Sequence, residues 1–278
     1  MVNKKILIFI HIPKTAGTAL KTIIKRQFPR DSVVNIYGHK PNSIDVATFK
    51  NMEKKEKEKI KCLIGHFQFG LHQYLPQPAT YITMFRNPVD RIISSYYYII
   101  RSPSHCLYKK IIGSKMSLKD FVSSDTTMRL LNLQTKFIGK IGNERHTVND
   151  KFVSGDILEI AKNNIVKNNI IFGVTEKFDE SVSLFKQLLG WQNIFYVKKN
   201  VTDKRLATKA ISKRVRRIIE EKNELDLELY EFVRKRFEEA IDKQGKAFRR
   251  KVYSFQIQNK IWGWKIRTKK CFNKSAKA

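Results

Sequence analysis

The feature that most constrains this chain is the passage Phe9-Ile10-His11-Ile12-Pro13-Lys14-Thr15-Ala16-Gly17-Thr18-Ala19-Leu20, where an apolar run turns into a helix. From Ile6 to Ile12 only His11 is polar. A short apolar run of this kind reads as a strand buried on both faces. Pro13 ends it, and Leu20, Ile23 and Ile24 take up helical spacing. A strand buried on both faces needs helices on both sides of its sheet. The loop between strand and helix also presents unpaired backbone N–H groups at the positive end of the helix dipole, which is an anion site. Lys14 adds a full charge, Gly17 lets the backbone approach the anion, and Thr15 and Thr18 offer hydroxyls.

The same alternation continues along the chain. Further strands are predicted at Lys61–Phe67, Thr80–Phe85, Ile170–Val174 and Ile194–Lys198. Helices are predicted at Ser43–Ile60 with Ser43 as cap, and from Val89 to Arg101 with Pro88 in the first turn. Others are predicted at Ser117–Ser124, Thr126–Phe137, Asp156–Lys167, Asp179–Leu189, Ser212–Lys222 and Asp226–Lys243. The expected fold class is α/β, with a mainly parallel central sheet and helices on both faces. Residues 1–243 make one domain. Residues 244–278 make a basic, aromatic C-terminal tail or terminal helix carrying Phe248, Tyr253, Phe255, Trp262, Trp264 and Phe272.

Composition narrows the partners. A chain of 278 residues that is 42% hydrophobic can bury a sizeable core. Its 55 Lys and Arg against 25 Asp and Glu leave a net charge of +30. That excess suits nucleic acid, an anionic membrane surface or an acidic glycan. Cys62, Cys106 and Cys271 are scattered, with neither a Cys-x-x-Cys pair nor zinc spacing. They read as free thiols in a reducing compartment. No stretch approaches the ~18 apolar residues of a membrane span. The expectation is a cytoplasmic protein whose tail lies peripherally on an anionic membrane.

Two further blocks carry chemistry. In Thr83-Met84-Phe85-Arg86-Asn87-Pro88-Val89-Asp90-Arg91-Ile92-Ile93-Ser94, Arg86 stands at the end of a predicted strand, where open α/β sheets bind ligands. Ser94 lies about two turns into the next helix, so a forked guanidinium and a hydroxyl can converge on one phosphate. Arg91 is a third candidate for that phosphate, with pairing to an acid or facing solvent the preferred reading. In Gly65-His66-Phe67-Gln68-Phe69-Gly70-Leu71-His72, His66 comes just after a strand end and His72 lies on the adjoining loop. Either could act as a base, since neutral imidazole, with an unperturbed pKa of about 6.5, suits proton removal near neutral pH.

The loop is not a Walker A sequence, because Lys14 precedes Gly17. Pro13-Lys14-Thr15-Ala16-Gly17-Thr18 resembles the 5′-phosphosulfate loop of sulfotransferases, which use 3′-phosphoadenosine 5′-phosphosulfate (PAPS). Arg86 and Ser94 resemble the pair that holds the donor's 3′-phosphate. Gly65–His72 is similar to an element of the carbohydrate sulfotransferases of sulfotransferase family 2, which include heparan sulfate 2-O- and 6-O-sulfotransferases. Asn132–Phe137, Phe172–Ser181 and Lys199–Thr202 also resemble that family. Lys136 stands where relatives often carry arginine.

The resemblance implies a P-loop nucleotide-kinase-like sulfotransferase fold and PAPS as donor cosubstrate, without a metal. It implies donor contacts from Lys14, Thr15, Ala16, Gly17, Thr18, Ala19, Arg86, Ser94, Asn200 and Thr202. His66, in preference to His72, would take the acceptor's proton, and Lys14 would stabilise the leaving phosphate. Asn132–Thr135 would line the acceptor cleft. The acceptor would be a glycan or another hydroxyl compound. Under this reading nucleic acid is not the main partner; two other readings compete, a P-loop-like nucleotide-dependent kinase and a non-enzymatic binder of nucleic acid or another polyanion.

Overall fold

The computed structural model describes residues 5–38, 41–139, 155–197 and 211–275. Five strands form one sheet: β1 (Ile6–Ile10), β2 (Val33–Ile36), β3 (Cys62–Gly65), β4 (Ala79–Phe85) and β5 (Ile171–Val174). They are all parallel, in the order β2-β3-β1-β4-β5. The first helices are α1 (Gly17–Ile24), α2 (Val46–Asn51), α3 (Lys54–Glu58) and α4 (Pro88–Ile99). Then come α5 (Tyr108–Gly113), α6 (Leu118–Ser123), α7 (Leu133–Gly139) and α8 (Gly155–Lys167). The chain closes with α9 (Phe178–Leu189), α10 (Lys213–Glu221), α11 (Glu224–Lys243) and α12 (Gly245–Ser275).

The two-residue period of β1 sorts the core. Ile6, Ile8 and Ile10, with Leu63, Tyr81 and Phe85, pack on Phe137, Leu158, Ile165, Leu229 and Val233 of α7, α8 and α11. Leu7 and Phe9, with Ile64, Ile82 and Met84, pack on Leu20 and Ile23 of α1 and Val182 and Phe185 of α9. Helices therefore cover both faces, as the sequence predicts. A third cluster joins α4, α5, α6 and α10 through Ile92, Ile93, Ile111, Phe121 and Ile219.

Several element predictions are corrected. The fifth strand is β2, not Ile194–Lys198. Ile194 and Tyr196 are buried against the α1/α9 face, but the Tyr196 N–H donates to Asn259 Oδ1 of α12 at 2.8 Å rather than to a ladder. Lys198 lies outside the described residues. β2 escapes the apolar-run signal because it is a four-residue edge strand with Asn35 inside it. The predicted helix Ser43–Ile60 is two helices broken at Met52–Glu53, both with extended backbone. Asp45 caps α2, accepting from Thr48 N at 2.7 Å, while Ser43 Oγ accepts from Tyr37 N at 2.9 Å. The predicted helix Thr126–Phe137 is a 3₁₀ segment, Asp125–Leu130, and then α7, with the break at Asn132 in the left-handed region (φ 48°).

The strand order brings the chemistry-bearing loops together. β3, β1 and β4 are neighbours, so the loops that leave their C-terminal ends lie side by side.

Candidate active site

The loop after β1 is wound tightly. Lys14 and Ala16 both take left-handed backbone, with φ 69° and 61°. Each costs about 1–2 kcal/mol for a residue with a Cβ. The Thr15 hydroxyl is buried and donates to Ile12 O at 2.8 Å, stapling the turn. Its proton is used within the loop, while Thr18 stays exposed on the first turn of α1. Ala16 caps α1 without a side-chain hydrogen bond, and the first turn carries no acidic residue. The positive end of the helix is thus offset by neither a cap nor a carboxylate.

Gly17 carries a steric constraint besides the close approach to an anion expected of it. Its backbone is not in the left-handed region that glycine favours. A Cβ there would stand 2.0 Å from His11 Cδ2, so the missing side chain makes room for the His11 ring. His11 Nδ1 in turn pairs with the Tyr37 hydroxyl at 2.8 Å.

The segment after β4 is held at every peptide. Arg86 N donates to Gln134 Oε1 at 2.8 Å, and Gln134 Nε2 donates back to Arg86 O at 2.9 Å. Asn87 N donates to Glu176 Oε1 at 3.0 Å, and Thr175 Oγ1 donates to Phe85 O at 2.9 Å. Asn87 Oδ1 caps α4 by accepting from Val89 N and Asp90 N. From this frame Arg86 Nη1 donates to Lys14 O at 3.0 Å, joining the two blocks. Lys14 Nζ lies 4.0 Å from the centroid of the Tyr98 ring. Tyr98 is one turn beyond Ser94 on the same face of α4, so Ser94 faces this junction.

The two histidines part company. His66 Nδ1 lies 2.5 Å from His11 O, and its ring packs 4.6 Å from His11 and 4.7 Å from Tyr37. A carbonyl oxygen only accepts, so Nδ1 carries the proton and the lone pair of the neutral ring is on Nε2. His72 sits on Tyr81, with Nδ1 2.9 Å from the hydroxyl. That oxygen already accepts from Gly70 N and His72 N, so its own proton goes to His72 Nδ1. The lone pair of His72 is therefore occupied. Tyr81 also lies four residues before the end of β4, about 13 Å from the strand tips. Burial pulls the His72 pKa down and pushes Tyr81 up to about 12, against the backbone bonds that stabilise its phenolate.

Behind Arg86 lies a buried ionic knot. Arg91 Nη2 and Asp226 Oδ2 are 3.4 Å apart with both side chains 0% exposed. Burial lowers the Arg91 pKa and Asp226 raises it. Asp226 also accepts from Gln134 N, Thr135 N and Thr135 Oγ1, holding the N-terminus of α7. Gln134 and Thr135 are wholly buried. Gln134 holds Arg86 from below and Thr135 holds Asp226, so both side chains are spent on internal partners.

Residues 1–233 match the family model described as the sulfotransferase family. The chain belongs to the sulfotransferase family. It is 24% identical to heparan sulfate 2-O-sulfotransferase 1 of Gallus gallus over 258 residues, covering 84% of this chain and 70% of that protein. It is 26% identical to heparan-sulfate 6-O-sulfotransferase 3 of Homo sapiens over 295 residues, covering 85% of this chain but only 58% of that one. The crystal structure of mouse sulfotransferase SULT7A1 complexed with PAP overlays with a TM-score of 0.35 at 15% identity, over 68% of this chain and 60% of that one.

Within this candidate site, sequence reasoning missed the contacts of His11, Tyr37 and Tyr98 and the supporting role of Gln134. No spacing rule pairs Tyr37 with His11 across 26 residues, or Gln134 with Arg86 across 48. Tyr98 had a usable signal, since it stands at i+4 from Ser94. Ala19, expected in the donor loop, is half-buried and packs against the α1/α9 core. Asn200 and Thr202, expected to close over the nucleotide, lie outside the described residues. An apolar hollow of about 300 Å³ beside Ile171, Leu184 and Phe237 opens at the start of β5 and belongs to none of this machinery.

Proposed function

We propose that this chain moves a sulfuryl group from PAPS to a hydroxyl of a glycan. One observation carries the reading: loops from β3, β1 and β4 meet through His66 Nδ1 to His11 O and Arg86 Nη1 to Lys14 O. A base, a cationic loop and a forked cation are thereby joined at the strand tips. Family membership supports the reaction class, and the names of the heparan sulfate relatives support a carbohydrate acceptor. The +30 charge suits an acidic glycan.

In the proposed reaction the acceptor oxygen attacks sulfur. The bond from sulfur to the 5′-phosphate oxygen breaks, and adenosine 3′,5′-bisphosphate leaves. The hydroxyl proton passes to His66 Nε2, whose lone pair is set by the Nδ1 bond. Lys14 stabilises the negative charge that grows on the departing oxygen, with the first amides of α1. Its ammonium group rests on Tyr98, a contact of about 0.5–2 kcal/mol that a developing anion outweighs. Arg86 and Ser94 hold the 3′-phosphate and fix the donor's register.

The test is calorimetric binding of adenosine 3′,5′-bisphosphate against 5′-AMP and ATP at two salt concentrations, with Arg86→Ala alongside. Strong preference for the bisphosphate, lost in Arg86→Ala, supports the donor site. Equal, salt-sensitive binding of all three would leave only a basic surface and overturn the proposal.

A further inference from the structure

We propose that the outer face of α12 seats the protein on an anionic lipid bilayer. The inner face of this helix is accounted for. Phe248, Val252 and Phe255 are buried against the domain, Asn259 binds Tyr196 N, and Trp262 stacks on Phe195 with ring centroids 5.9 Å apart. The opposite face is not. Tyr253 is 67% exposed, Ile257 44%, Ile261 50% and Trp264 67%. At 3.6 residues per turn these four lie within an arc of about 80°, on the side of the helix away from Phe248, Phe255 and Trp262.

Charge frames that stripe. No acidic residue occurs between Gly245 and Ser275. Lys246, Arg250 and Lys260 fall on or beside the same arc, with Arg249 and Lys265 just outside it. All five are exposed, and Arg249 pairs with Asp242 at 2.7 Å. The other basic side chains have no such partner supplied by their own helix.

The mixture of residues selects the occupant. A nucleic acid or an acidic glycan would neutralise the cations but leave Ile257 and Ile261 in water. A second copy would bring the same cations face to face. A bilayer interface meets both demands: acyl carbons take the isoleucines, Trp264 and Tyr253 sit at headgroup level, and the lysines and arginines reach lipid phosphates. No helix among the described residues is long and apolar enough to cross a membrane, so α12 would lie in the interface plane. Trp262 also meets Arg26, which lies beyond the C-terminal end of α1, away from the loop where that helix starts. A membrane engaged at this end leaves the strand tips facing water.

The test is co-sedimentation of the full chain with phosphatidylcholine vesicles and with vesicles about one quarter phosphatidylglycerol, at about 0.15 M salt. Binding to the anionic vesicles should be at least about tenfold tighter, with a blue shift of tryptophan emission. Ile261→Ser/Trp264→Ser keeps every charge and should weaken that binding about tenfold or more. Both residues are exposed, so circular dichroism and thermal unfolding of the variant should match the wild type. Undiminished binding by this variant would overturn the proposal and leave a purely electrostatic contact, of the kind RNA or heparin makes. So would equal or absent binding to both vesicles, or a lipid-free dimer in sedimentation velocity that the variant dissociates.

Discussion

The Arg86 guanidinium donates from Nη1 to the carbonyl of Lys14 at 3.0 Å, tying the residue proposed for the 3′-phosphate to the loop proposed for the 5′-phosphate. One side chain thus sets the distance between both ends of the donor. Lysine keeps the charge but loses the fork. Arg86→Lys should weaken adenosine 3′,5′-bisphosphate binding about ten- to a hundredfold, as expected for a charge-assisted bond of about 1.5–3 kcal/mol. Binding of 5′-AMP should change much less, because it lacks the 3′ group. Calorimetry with both ligands decides this, and an equal loss for both would remove Arg86 from the 3′ site.

The tautomers separate the histidines by experiment. His66→Asn should lower kcat about 10²- to 10⁴-fold while donor affinity stays near wild type. His72→Gln should leave turnover close to wild type, since Gln can still accept from Tyr81. Steady-state turnover paired with calorimetry checks both; a silent His66→Asn would move the base elsewhere.

Gly17 and His11 make a coupled pair. Gly17→Ala places a Cβ 2.0 Å from the His11 ring and should lower the melting temperature and donor affinity together. With the ring already removed, the same change has nothing to strike. Thermal unfolding of Gly17→Ala, His11→Ala and the double variant should therefore be non-additive, the double no less stable than His11→Ala alone. Additive losses would mean that the glycine serves the backbone.

Asp226→Ala leaves Arg91 charged in a site with no solvent. Denaturant unfolding should show a loss of about 3–5 kcal/mol. Arg91→Met/Asp226→Leu removes both charges and should recover part of it, while the severed α7 cap keeps the double variant below wild type. Donor binding should fall with Asp226→Ala as well, because Gln134 and Arg86 hang from this knot.

Acid should act on His72. Burial holds its folded pKa below the ordinary value of about 6.5, so on acidification the unfolded chain takes up the proton first. The stability tied to this neutral histidine is fully present above about pH 6.5 and is lost as pH falls through the lower folded value. Between about pH 7 and pH 5 the melting temperature of the wild type should drop further than that of His72→Gln. Parallel curves would show that His72 does not contribute.

Local order was readable from the residues. β1, β3 and β5 are continuous apolar runs and β4 is broken only by Thr80 and Thr83, and a short run buried on both faces has few alternatives to a parallel strand. Pro88 starts α4 where expected. The errors fell where one long-range contact outweighed local pattern. Ser43 would make a good cap, but Tyr37 N takes its hydroxyl, and Asp45 caps the helix instead. Ile194–Val197 is apolar enough for a strand, yet the sheet ends at β5 and the Asn259 side chain takes its N–H.

By itself the sequence determined a parallel α/β fold, with Lys14, His66 and Arg86 in the loops that follow strands and Ser94 about two turns into the next helix, and its motifs carried the resemblance to sulfotransferases. The fold and those positions come from residue type and near-neighbour spacing. Only the tertiary structure decided that Thr15 is a staple, that a Cβ at Gly17 would strike His11, and that His66 and His72 carry their lone pairs on different nitrogens. Each of these depends on a partner tens of residues away, or on the direction of one hydrogen bond. A side chain's chemistry is local, whereas its protonation and its freedom are set by whatever the fold brings against it.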